Sequence, residues 1–117
     1  MEALKAAVLN APPTLYAQAT DKLYHGLWER TTAQLRGDLN LTEKQNPRDY
    51  FGEYALIYTR LAEMIATDKL DKLEIVTLSM AIDIVWAVAI LIHQQANATA
   101  NALGIDLVTE RPLLKDS

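Results

Sequence analysis

Few residues in this chain have chemistry to offer. Asp83 is the one charge inside a long apolar run, Ser79 lies one helical turn before it, and Trp86, His93 and Asn97 follow at helical intervals. A metal centre in a helical bundle commonly uses a Glu-x-x-His spacing, which sets both ligands on one face. Here the residues three before His25 and His93 are Lys22 and Ile90, so that pattern is missing. His25 and Glu29 are spaced to share a helix face, and they read as a solvated pair worth a few tenths of a kcal/mol.

Hydrolysis of a nucleotide on such a scaffold needs several carboxylates converging on magnesium. Glu53, Glu63, Glu74 and Asp83 stand apart, with no second acid one turn from Asp83. Serine chemistry lacks its glycine turn, and no glycine-rich phosphate loop exists. The chain has no cysteine, which removes disulfides, thiolate zinc sites and a cysteine nucleophile together. The net charge is −4 and no Lys/Arg cluster is present, so a nucleic-acid partner is not expected. No metal and no cofactor are expected either.

The element that must position these residues is the apolar run Ile75–Ile92, broken only by Thr77, Ser79 and Asp83. It is too long for a strand and too apolar for a free surface helix. It predicts a helix from Leu70 to Leu103, capped by Thr67 or Asp68 and closed by Gly104 in the left-handed conformation. Projected at about 100° per residue, Lys72, Ser79, Asp83, Gln94, Asn97 and Asn101 fall near one line, interrupted by Ala87 and Ile90 and flanked by Trp86 and His93. A lipid-facing span has no need of such a stripe.

Three further helices are predicted. Met1–Leu9 forms a short one, ended by Asn10-Ala-Pro-Pro13. A second starts at Pro12 or Pro13 and runs to about Arg36, with Tyr24, Leu27, Trp28 and Leu35 on its apolar side. Gly26 lies within it, either admitting a close neighbour or weakening the helix by about 1 kcal/mol. After a polar connection, Asn46 caps a third helix over Pro47–Ala66, whose apolar side bears Tyr50, Phe51, Tyr54, Ile57, Tyr58, Leu61, Ala62, Met64 and Ile65. The short join to the spine predicts an antiparallel hairpin. Residues 105–117 read as an extended tail laid against the bundle, with Lys115-Asp-Ser117 free.

With half its residues hydrophobic and 117 in all, the chain is expected to form a single all-α domain over 1–117, a compact bundle of three long helices and a short N-terminal one. The acidic second residue makes a poor signal peptide, so the expected location is cytoplasmic. The spine asks for more cover than two helices of one chain supply, which predicts a homodimer. The expected role is a small non-catalytic protein-binding module, an adaptor, assembly factor or inhibitor, contacting another protein or itself. Its expected contacts are Trp28, Ser79, Asp83, Trp86, His93 and Asn97, because aromatic anchors among neutral amides suit such a surface. A single membrane span over residues 75–92 and a metal-dependent hydrolase using Asp83 are the alternatives.

Overall fold

A computed structural model describes residues 14–74 and 76–113. The protein is all-α, with four α-helices and no strand among those residues: α1 (Leu15–Trp28), α2 (Thr32–Asp38), α3 (Glu53–Asp71) and α4 (Leu78–Leu103). The helix expected over Met1–Leu9 lies outside the described residues, as does Lys115–Ser117.

The spine is α4. Thr77 starts it by accepting a hydrogen bond from the Met80 N–H, and Gly104 ends it at φ 70°, donating its own N–H to the Ala100 carbonyl. Ala81, Val85, Val88, Ala89, Ile92 and Ala96 turn one face inward, and α1 and α3 pack on either side of that face. Leu15, Leu23 and Leu27 of α1 are fully buried, each contributing roughly 1.5–3 kcal/mol through removal from water. Gly26 lets α1 approach: a Cβ there would lie 2.7 Å from Ala89 Cβ and 3.3 Å from the Trp86 ring.

Three predicted boundaries are corrected. The helix expected from Pro12 or Pro13 to Arg36 breaks after Trp28, where Glu29 adopts φ 57° and closes α1. Thr31 then opens α2 with a capping box, its side chain accepting from the Gln34 N–H while Gln34 accepts from the Thr31 N–H. This reciprocal pair satisfies two donors that a continuous helix would otherwise use, and Asp21 accepts from the Thr32 N–H at 2.8 Å to hold the fold-back.

The segment from Pro47 is a 3₁₀ turn to Tyr50, with Asn46 capping as expected. Only beyond Gly52 does α3 begin, because the C-terminal segment crosses there. The Gly52 N–H donates to the Val108 carbonyl at 3.0 Å, and a Cβ at Gly52 would run into the Leu107 carbonyl oxygen. Finally, α3 continues to Asp71 and the spine starts at Leu78, not Leu70, since Thr77 is the residue that caps. The two helices still form a hairpin, and the Tyr58 and Thr99 hydroxyls meet at 2.6 Å across it.

The described part of the tail, residues 105–113, is a closed loop and not an extended strap. Gly104 reverses the chain, Ile105 bridges Pro112, and the Asp106 N–H donates to the Arg111 carbonyl. This loop buries Leu107 and Val108.

Candidate protein-interaction surface

Helix α3 carries two different faces. Ala55, Thr59, Ala62 and Ala66 are wholly buried against the rest of the fold, and the Thr59 hydroxyl donates to the Ala55 carbonyl of its own helix, so its burial leaves no unmet donor. Four large apolar residues point elsewhere: Ile57 is 53% and Met64 64% exposed, and Tyr54 and Leu61 are exposed beside them. Helix packing explains the choice. Small side chains allow the closest approach to α4, and larger ones at the same positions would push the helices apart. Tyr54, Ile57, Leu61 and Met64 therefore form an outward stripe at alternating spacings of three and four residues.

The stripe continues sideways onto α4. Half-buried Tyr58, Ile65 and Ile84 lie at the base, packed against the core, while Met80 and Leu91 are exposed on α4. Only 28% of the most apolar window of α4 is buried. Both outer faces thus retain apolar groups large enough to anchor a partner.

The residues expected to form the site are divided between this exterior and the α1–α4 seam. Ser79, Asp83 and Asn97 are exposed on α4, among the polar stripe of its outer side. Trp86 is half-buried over Gly26, with its ring 5.4 Å from that of His25 and the Lys22 ammonium 4.9 Å above it. His93 is half-buried, and its Nδ1–H donates to the Leu27 carbonyl at 2.8 Å, taking up one of the free carbonyls at the end of α1. Its Nε2 faces Glu29 at 3.3 Å. Trp28 is not on the surface: it is 8% exposed and set edge-on to Phe51. The 28–35 segment that looked like one helical face turns the chain at Glu29, and this leaves Trp28 beneath the closing loop.

Two concavities flank the seam. The smaller, about 180 Å³, lies between the α1–α2 turn, α4 and the tail loop, and includes His93, Asn97 and Asp106 in its lining. Its charges are already paired. Arg30 forks onto both Asp106 oxygens at 2.7 and 3.2 Å and reaches Asp38 at 3.4 Å, while the Thr109 hydroxyl donates to Asp106 at 2.8 Å. Burial would raise the Asp106 carboxyl, but the Arg30 and Thr109 donors outweigh it and hold the group below its ordinary value. The larger groove, about 610 Å³, runs between α1, α2 and the loop before Pro47, and includes Tyr16, Tyr24, Arg36 and Lys44. Burial pushes the Tyr24 phenol above its ordinary value, opposed by the nearby Arg48. Arg48 itself is held by Glu63 at 2.8 Å.

Glu53 and Glu63 are not brought together with Asp83. Among the described residues no group of three or more His, Asp or Glu could hold a metal ion. The Tyr58–Thr99 contact places Glu53 near the far end of α4, about 30 Å along the helices from Asp83 at the usual rise per residue. Glu63 is committed to Arg48.

The missed residues are Tyr54, Ile57, Leu61 and Met64 as surface. Their periodicity marks an apolar side that also bears Tyr58, Ala62 and Ile65, and no pattern within one helix says which edge of so broad a side faces out. No family model matches the chain, and the curated proteins and the solved structures searched yield no match.

Proposed function

We propose that this protein is a small non-catalytic binding module that associates with itself through the outer faces of α3 and α4. The observation that carries this reading is the division of α3: Ala55, Ala62 and Ala66 are buried, while Tyr54, Ile57, Leu61 and Met64 are exposed. These side chains are about half exposed, so covering the remainder gains roughly half of the 1.5–3 kcal/mol that full burial of each supplies. Asp83, Ser79 and Asn97 lie on the same exterior of α4 and supply a polar rim. Trp86 and His93 support that surface from the seam. Light scattering behind a sizing column, in detergent-free buffer over a hundredfold concentration range, tests the reading: a dimer that persists on dilution supports it, and a monomer throughout overturns it.

A second reading has its own observation. Helix α4 is long and apolar enough to cross a membrane, and Met80, Ile90, Leu91 and Leu103 on it are exposed. Against this, its outer side carries Asp83, Gln94, Asn97 and Asn101, and a charge facing hydrocarbon is costly. Aggregation relieved only by detergent would favour the span.

A further inference from the structure

The partner on the α3 face can be specified further. Resting on the self-association reading, we infer that the occupant is a second copy of this chain, docked with its α3 antiparallel about a two-fold axis at Leu61, so that Asp68 of each copy meets the partner's Tyr54.

The stripe Tyr54, Ile57, Leu61, Met64 continues at the same alternating spacing to exposed Asp68. Alternation of three and four residues is the seam geometry of helices packed at a shallow angle. The next position on that spacing is exposed Asp71, so the charges of the seam, Asp68 and Asp71, both lie at one end. In a parallel pair each seam residue faces its own twin, and Asp68 would oppose Asp68 beside apolar groups, where like charges repel without a full water shell. In an antiparallel pair centred on Leu61, Tyr54 and Asp68 lie equally far on either side of the axis. Each carboxylate then accepts from a phenol O–H at the rim, while Leu61 meets its twin and Ile57 meets the region of Met64.

The area is adequate. Tyr50, Tyr54, Ile57, Leu61, Met64, Met80 and Leu91 are each between 39% and 64% exposed. At on the order of 100 Å² apiece they approach the roughly 800 Å² per partner of a standard interface. A two-fold axis uses the same patch on both copies and closes the assembly at two.

The chain has no cysteine, so introduced thiols would be its only ones. Tyr54→Cys and Asp68→Cys proteins, mixed and oxidised, are expected to give the crossed disulfide, and Leu61→Cys is expected to join to itself. Positions 54 and 68 are about 21 Å apart along a helix, well beyond the ~7 Å Cα reach of a disulfide, so a parallel pair cannot make the crossed product. Self-linking of Tyr54→Cys in place of the crossed product overturns the antiparallel arrangement. A persistent dimer in which neither crossed nor Leu61→Cys product forms overturns this pairing and leaves self-association standing. A monomer at every concentration overturns both, with circular dichroism confirming that helix content is kept.

Discussion

The two sides of this molecule are closed by different means. Where α1 meets the tail loop, the chain uses specific polar pairs: Arg30 on Asp106 and Asp38, Thr109 on Asp106, and Arg111 on the Asp38 carbonyl. Leu107 and Val108 are buried beneath them. On the outer side of α3, large apolar groups are left in solvent with no such pairing. Polar pairs fix one geometry but add little net energy, whereas apolar area is non-directional and supplies the driving force. The latched side thus reads as intramolecular closure, and the open side is the surface on which the proposed self-association rests.

The largest expected effect breaks the open side alone. Leu61→Asp places a charge at the centre of the stripe and should raise the dimer dissociation constant more than a hundredfold, about 3 kcal/mol, with helix content unchanged. Sedimentation of the variant against the parent measures it, and an unchanged constant would sink the interface.

Breaking the latched side should do the reverse. Arg30→Ala leaves the Asp106 carboxylate half-buried and short of its forked donor, so stability should fall by roughly 2 kcal/mol in denaturant titration while self-association is retained. The same pair sets an acid limb. A carboxyl held below its ordinary value of 3.8 contributes stability that is present above that value and lost as pH falls through the folded one. The Arg30→Ala protein should therefore lose less further stability than the parent when acidified below 3.8.

Gly26→Ala sharpens the comparison at the seam between the sides. In a free helix alanine gains about 1 kcal/mol over glycine. Here the added Cβ meets Ala89 Cβ at 2.7 Å, and the net result should be a loss of about 1–2 kcal/mol in thermal or denaturant unfolding. A gain would mean that α1 and α4 separate easily. The smallest effect is expected at Glu29, whose φ of 57° closes α1. Glu29→Gly removes the cost of a left-handed non-glycine residue and gives up only a solvated contact with His93, so stability should rise by about 0.5–1 kcal/mol.

Much of the local structure was legible in the sequence. The Gly104 cap, the Asn46-Pro47 start and the long apolar spine follow from backbone rules that need no tertiary partner. The Thr31–Gln34 capping box was also present, but unbroken apolar periodicity from Tyr16 to Leu35 concealed it. Periodicity does not register one residue turning left-handed at Glu29, and that turn is what took Trp28 from the expected surface into the core.

Composition and spacing by themselves determined that this is an all-α chain with one dominant apolar helix. Only tertiary structure decided which side of α3 faces inward. Hydropathy ranks the side bearing Tyr54, Ile57, Leu61 and Met64 as the buried one, but close packing against α4 rewards small residues, and Ala55, Ala62 and Ala66 took the inner position. The apolar side was left outside because interhelical distance, which no single-helix pattern encodes, selects by volume and not by hydrophobicity.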